Sequence, residues 1–312
     1  MHTQRVDTLI TVRQLPVIAV IGPTAAGKSD LAVDIALELG GEVVNTDSMQ
    51  LYRGMDIGTA KLSPAERRGV PHHLLDIWEV TKAASVAEYQ SLVRPLIDDL
   101  RARGVVPILV GGSGLYVRAA LDDLEFPGTD PEIRTRLEAE LERAGPLPLY
   151  ERLRERDLRA AGAILPGNGR RIVRALEVIE LSGRPFSATM PSYDAVYDSV
   201  QLGVEVPREI LDERVAARVR RMWEAGLVEE VGRLAAKGLA KGRTASRALG
   251  YAQVIRFLDG EWSEEQAMEE TIRATRRFVR RQESWFRRDP RVIWLPQQAP
   301  DLLARALTVA RR

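Results

Sequence analysis

Residues Gly22 to Ser29 read GPTAAGKS and follow directly on the apolar run Val17 to Ile21, VIAVI. A buried strand therefore runs into a glycine-rich turn that ends in Lys-Ser. The turn opens a helix, because Asp30 to Leu39 carries apolar residues at 31, 32, 35, 36 and 39 before Gly40-Gly41 closes it. Strand, glycine turn and helix in this order form a phosphate-binding loop. Gly22 and Gly27 let backbone N–H groups close around phosphate oxygens, Lys28 adds a point charge, and the Ser29 hydroxyl can hold a magnesium ion. The loop predicts a bound di- or triphosphate and leaves the reaction open, since kinases, switches, motors and group transferases all use it.

Working outward, Glu42 to Thr46 reads as a second short strand ending at Asp47, and Val105 to Val110, between Gly104 and Gly111, as a third. Alternation with helical segments predicts a parallel sheet whose ligands gather at the carboxyl ends of the strands, where Gly22–Ser29, Asp47 and Gly111–Gly114 would meet. After about Leu121 the character changes: Asp130 to Ser182 is rich in Arg and Glu, with apolar residues at helical spacing, as at Leu137, Leu141, Ile172, Leu176 and Ile179. A further strand, Val200 to Val206, returns the chain to the sheet; helices fill Arg208 to Arg288, and a strand at Val292 to Leu295 precedes a final helix over Asp301 to Val309. The expected fold is α/β: a P-loop NTPase-like parallel sheet flanked by helices, with an all-helical insertion domain. The expected division is a mobile extension over 1–14, a core from 15–122 and 198–312, and the insertion over 123–197.

The composition narrows the function classes. With 45 basic and 44 acidic residues among 312, total charge does not announce a nucleic-acid binder, so any such role must come from local patches. The absence of cysteine excludes disulfides, thiolate metal sites and a cysteine nucleophile, and suits a reducing cytoplasm. The longest uncharged stretches run to about fourteen residues, too short to span a bilayer.

Three constellations carry candidate chemistry. Asp47, in Thr46-Asp47-Ser48-Met49-Gln50, reads either as a turn cap or as a base beside the phosphate loop. Arg273, Arg276, Arg277, Arg280, Arg281, Arg287 and Arg288 recur at three- and four-residue spacing; they read either as a solvated face paired with Glu264, Glu265, Glu269 and Glu270 or as a phosphate-contacting face beside Trp285 and Phe286. Adjacent His72 and His73 point in different directions and have no third ligand spaced to join them, so no metal is expected there.

The stretch Asp47 to Lys61, DSMQLYRGMDIGTAK, together with GPTAAGKS, closely resembles the tRNA dimethylallyltransferase family. Further matches are PHHLLD from Pro71, GGSGLY from Gly111, RRIVRALE from Arg170, RALGY from Arg247 with Gln253, and TRRFVRRQ from Thr275. The resemblance implies an enzyme that moves a dimethylallyl group from dimethylallyl diphosphate to N6 of adenosine 37 of tRNA, as a cytoplasmic monomer with Mg2+ as cofactor. It implies that Gly22, Pro23, Thr24, Ala25, Ala26, Gly27, Lys28 and Ser29 hold the diphosphate, that Asp47 is the general base, and that Ser113 lies at the reacting centre with serine in place of the family's usual threonine. It further implies tRNA contacts at Asp47, Ser48, Met49, Gln50, Ser113, Arg134, Arg170, Arg171, Arg174, Arg247, Gly250 and Tyr251, to which the basic face adds Arg277 and Arg281. The rival readings are an isopentenyltransferase acting on free adenine nucleotide, a P-loop small-molecule kinase holding ATP, and a nucleotide-hydrolysing RNA-binding switch.

Overall fold

The computed structural model describes residues 16–189 and 193–311; the extension read over 1–14 lies outside the described residues. Strand β1 (Val17–Ile21) leads through the glycine loop into helix α1 (Lys28–Leu39), and β2 (Gly41–Asn45), β3 (His72–His73), α2 (Val86–Ala102), β4 (Val106–Gly111) and α3 (Gly114–Leu121) follow. After the insertion come β5 (Ser199–Glu205), α8 (Arg208–Glu224), α9 (Leu227–Ala236), α10 (Tyr251–Leu258), α11 (Glu264–Phe286), β6 (Val292–Pro296) and α12 (Leu302–Ala310). Between them the insertion contributes α4 (Pro131–Ala144), α5 (Pro146–Arg156), α6 (Leu158–Ala163) and α7 (Gly169–Ser182).

The strands form one parallel sheet in the order β3-β2-β4-β1-β5-β6. β1 lies inside it, with Val20 beside Val110 on one flank and Leu202 on the other. All five residues of β1 are buried, as a parallel strand covered on both faces requires. Each such Val or Ile side chain removed from water contributes roughly 1.5–3 kcal/mol, so the loop at the end of β1 starts from a rigid base. Gly22 then turns at φ 139°, and a Cβ there would sit 2.9 Å from the Val204 carbonyl oxygen of β5. Only glycine lets the chain leave the sheet this close to its neighbour.

One strand was not legible. His72 and His73 pair with Val43 and Val44 as β3, a two-residue edge strand too short for periodicity to reveal. His73 Nε2 lies 2.6 Å from Glu42 Oε2 and His72 Nδ1 lies 2.9 Å from the Val70 carbonyl.

Residues Asp122–Asp194 form a second compact unit, against the 123–197 read from sequence. Its four helices close on their own core of Leu137, Leu149, Leu153, Ile172 and Leu176. Asp130 caps α4, its Oδ1 accepting the Glu132 and Ile133 N–H groups at 2.9 and 3.0 Å. No helix among the described residues is long and apolar enough to cross a membrane.

Candidate functional site

The loops at the carboxyl ends of β1, β2 and β4 border two cavities in the larger unit. One, of about 520 Å3, is lined by Thr24, Asp47, Ser48, Met49, Ser113 and Tyr116 from the sheet side and by residues of α8 and α11 opposite. The other, of about 990 Å3, is lined by Ala25, Gly27, Lys28 and Ser29 of the glycine loop, with Asp30, Lys61 and Arg67. Arg218 and Met222, one turn apart on α8, line both. Helix α8 is therefore the partition. Its residues Val215 and Val219 face the first cavity, and Arg214 and Arg221 face the second.

Lys28 donates from Nζ to the Pro23 carbonyl oxygen at 2.6 Å. Burial lowers its pKa to about 7, nearby Arg218 lowers it too, and the Asp47 carboxylate acts in the opposite sense. Arg218 is likewise held below the ordinary guanidinium value, first by burial, while Asp47 opposes this and Arg221 adds to it. Its Nη2 donates to the Thr59 carbonyl oxygen at 3.4 Å, and its Nε is buried without a hydrogen-bond partner among the described residues. Two cations are thus kept in poor solvent beside the loop, an arrangement that an incoming anion with several oxygens would relieve. Sequence reading missed Arg218 because it stands among the arginines of RVRRMWE with no motif around it. The only signal was helical phase, one turn from Met222 and Val215.

Asp47 caps its turn, as one of its two sequence readings expects, and the same carboxylate stands at a cavity wall. Its Oδ1 accepts the Met49 N–H at 2.9 Å, which closes the turn and fixes the side chain, and the carboxylate borders the smaller cavity. The turn is anchored twice more: Asn45 Oδ1 accepts the Asp47 N–H at 2.8 Å, and Asn45 Nδ2 donates to the Asp47 and Leu74 carbonyl oxygens, both at 3.0 Å. Ser113 joins it from β4, its Oγ 3.2 Å from the Ser48 N–H and 3.3 Å from Ser48 Oγ. A carboxylate, two hydroxyls and Tyr116 therefore share one wall. The Tyr116 hydroxyl is pushed well above the ordinary tyrosine range by burial, then by Tyr52 and Asp47, so it stays a neutral donor.

Helix α11 closes the opposite wall. Gln282 bridges two loops, accepting the Thr24 N–H on Oε1 and donating from Nε2 to the Gly112 carbonyl oxygen, both at 2.9 Å. A Cβ on Gly114 would meet Trp285 Nε1 at 2.1 Å, so the glycine run after β4 is the seat of an indole. The arginine face of α11 divides. Arg273 pairs with Glu270, Arg276 donates to the Asp212 carbonyl oxygen, and Arg287 pairs with Glu205 and stacks over Trp294. Arg281 borders the smaller cavity over Phe278, whereas Arg277 and Arg280, both exposed, border an open depression with Arg220.

Of the remaining residues singled out in the sequence, Ser48, Met49 and Arg247 line the smaller cavity. Gln50 is turned to the Thr59 carbonyl oxygen at 3.1 Å and is not among the lining residues. Gly22, Pro23 and Ala26 are buried beneath the loop. Gly250 and Tyr251 are both buried, and Tyr251 donates its hydroxyl to Glu230 at 2.5 Å. Arg134 and Arg174, in the insertion, both bind the carboxylate of fully buried Glu177, and Arg174 also donates to the Pro127 and Gly128 carbonyl oxygens. Arg170 and Arg171 are both exposed at the start of α7.

For a hard cation the fitting donors are oxygens, and the larger cavity offers the Ser29 hydroxyl with Asp30, Asp56 and Asp76. Asp56 and Asp76 are both engaged by Lys61 at 2.6 Å, so Ser29 and the oxygens of a bound anion remain the natural ligands.

A family model described as IPP transferase matches residues 50–289. The tRNA dimethylallyltransferase of Thermobifida fusca is 67% identical over 298 residues, covering 94% of this chain and 93% of that protein. That of Streptomyces coelicolor is 70% identical over 279 residues, covering 89% of each. Among solved structures, the full-length tRNA isopentenylpyrophosphate transferase of Bacillus halodurans is 38% identical with a TM-score of 0.70, covering 95% of this chain and 94% of that one. A eukaryotic dimethylallyltransferase acting on tRNA is 25% identical with a TM-score of 0.80, covering 94% of this chain and 77% of that one.

Proposed function

The chain belongs to the IPP transferase family, and on that premise we propose that it transfers a dimethylallyl group from dimethylallyl diphosphate to N6 of adenosine 37 of tRNA, releasing diphosphate. The observation that carries this reading is the meeting of two cavities across α8, with the glycine loop on one and Asp47 on the other. A group transfer needs such a junction: the leaving group is held in one chamber and the nucleophile enters the other.

In the step itself the bond from N6 to the allylic C1 forms while the bond from C1 to the diphosphate oxygen breaks. The electron pair of the broken bond leaves on diphosphate, and the N6 proton passes to the Asp47 carboxylate. Lys28 and Arg218 offset the charge that builds on the leaving oxygen, and they act strongly because they are already desolvated. The adenine amine is a weak nucleophile whose lone pair is delocalised into the ring, so a positioned base contributes on the order of a hundredfold or more. Phe278 and Trp285 give the smaller cavity the flat apolar surfaces that a base drawn out of its stack requires, and Met49 adds an apolar contact. A magnesium ion on Ser29 would add positive charge against the diphosphate. The reading needs no second subunit and takes the protein as a monomer that works on tRNA in the cytoplasm.

The test is incubation of the protein and magnesium with radiolabelled dimethylallyl diphosphate and either unmodified tRNA carrying A36-A37-A38 or AMP. Label on tRNA is expected. Label on AMP alone would assign the nucleotide-modifying reaction instead, and ATP consumption with no transfer would assign a kinase.

A further inference from the structure

Resting on that reading, we propose that Met222 is the residue that limits the donor to a single isoprene unit. If the diphosphate is seated on Gly27, Lys28 and Ser29 and the acceptor amine lies beside Asp47, the allylic carbon must sit where the two cavities meet. Two side chains occupy that junction, Arg218 and Met222, at i and i+4 on the face of α8 common to both cavities. They differ in chemistry. Arg218 is a guanidinium with a buried, unpartnered Nε and suits the phosphate oxygens. Met222 is apolar and flexible, so it suits the hydrocarbon.

Which way the hydrocarbon tail extends follows from what surrounds the junction. On the larger-cavity side the neighbours of Met222 on α8 are Arg214 and Arg221, opposite Lys61 and Asp76. An isoprenoid chain would have to strip water from those charges to lie there. On the smaller-cavity side the neighbours are Val215, Val219, Leu249 and Phe278. The dimethyl end therefore turns toward this apolar wall, with Met222 flanking it. A second isoprene unit would need the volume that the Met222 side chain fills, while the C1 chemistry and the proton transfer to Asp47 would remain the same for a longer donor.

The experiment compares dimethylallyl diphosphate with geranyl diphosphate, one isoprene unit longer, as donors to tRNA for the wild type, Met222→Ala and Met222→Phe. Inhibition by inorganic diphosphate is measured alongside. Met222 is half-exposed, so neither replacement opens or overfills a closed core. For Met222→Ala the ratio of kcat/KM for geranyl over dimethylallyl diphosphate should rise at least tenfold. For Met222→Phe, kcat/KM with dimethylallyl diphosphate should fall at least tenfold while the inhibition constant of inorganic diphosphate stays within twofold. An unchanged ratio in Met222→Ala would overturn the proposal, as would a parallel loss of diphosphate inhibition in Met222→Phe, which would place Met222 at the phosphate site. Failure of the wild type to label tRNA at all would instead refute the underlying transferase reading.

Discussion

Replacement of Glu230 by glutamine should destabilise the protein by about 3–5 kcal/mol, although the side chain touches neither cavity. Glu230 is 3% exposed and accepts four hydrogen bonds: from the Asp56 and Ile57 N–H groups on Oε2 at 3.1 and 2.8 Å, and from the Gly58 N–H and the Tyr251 hydroxyl on Oε1 at 3.3 and 2.5 Å. In Glu230→Gln one acceptor becomes an NH2 group that faces donors. Its least costly orientation puts the NH2 beside Tyr251, whose hydroxyl can rotate to accept, and leaves the Gly58 N–H orphaned. An orphaned buried N–H costs about 1–3 kcal/mol, and each remaining bond loses about 1 kcal/mol as its acceptor changes from charged to neutral. Tyr251→Phe removes one bond only and should cost about 1–2 kcal/mol. In the double variant the amide has lost the one partner able to accept from it, so the two effects should couple by about 1 kcal/mol or more. Guanidinium unfolding gives the free energies, and hydrogen exchange at Asp56, Ile57 and Gly58 gives the local consequence, because these amides should lose protection before the rest of the unit. Thr59, next in the chain, accepts from Arg218, so KM for dimethylallyl diphosphate should rise in Glu230→Gln. A change below about 1 kcal/mol would refute the reasoning, since one orphaned buried donor already exceeds it.

Asp47→Ala should abolish transfer and leave tRNA affinity within a few-fold; normal turnover would remove Asp47 from the base role. Reversal of Arg277 and Arg281 to Glu should weaken tRNA binding and reduce the slope of log affinity against log salt by about 1.5, the share of two lost phosphate contacts; an unchanged slope returns that face to plain solvent. Burial acts to raise the pKa of Glu177, but the hydrogen bonds and charges of Arg134 and Arg174 outweigh it and hold the carboxyl below its ordinary value. Its stabilising effect is therefore present above the unfolded value of about 4.3 and is lost as pH falls through the folded one. The gap in thermal midpoint between wild type and Glu177→Gln should narrow from pH 7 to pH 3, and a constant gap would contradict the ion-pair account. Gly114→Ala must displace the Trp285 indole, given the 2.1 Å approach, so kcat/KM should fall at least tenfold; an unaltered value would mean that the indole does not shape the cavity.

What could be read from the sequence, and what could not, divides by the range of the interaction. The loop from Gly22 to Ser29 and strand β1 were legible because their signals are local: an apolar run, then glycines, then a helical period. Asp47 and Ser113 were legible because parallel strands present their carboxyl ends together, so a polar residue just past a strand inherits a place at the site. The bond from the Tyr251 hydroxyl to Glu230, 21 residues earlier, was not legible, because nothing in RALGY records that partner. The link from Gln282 to the Thr24 N–H spans 258 residues and is equally silent in sequence. β3 escaped because two residues have no period.

The same reasoning explains why the arginines were the hardest residues to assign. Seven arginines on or just past α11 and five on α8, at 208, 214, 218, 220 and 221, carry one charge each, and in sequence nothing ranks them. Packing ranks them by what each must give up. Arg273 and Arg287 have carboxylates and Arg276 has a carbonyl, so a phosphate would have to displace a bond already made. Of these arginines, Arg208 and Arg218 each keep a buried nitrogen without a partner among the described residues, but of the two only Arg218 lines the cavity of the glycine loop, so a diphosphate gains an interaction there at no such loss. The helical period that carries Arg218 into the junction carries Met222 with it one turn later. α8 therefore sets a charged and an apolar side chain side by side at the one place where a leaving group and its hydrocarbon must part.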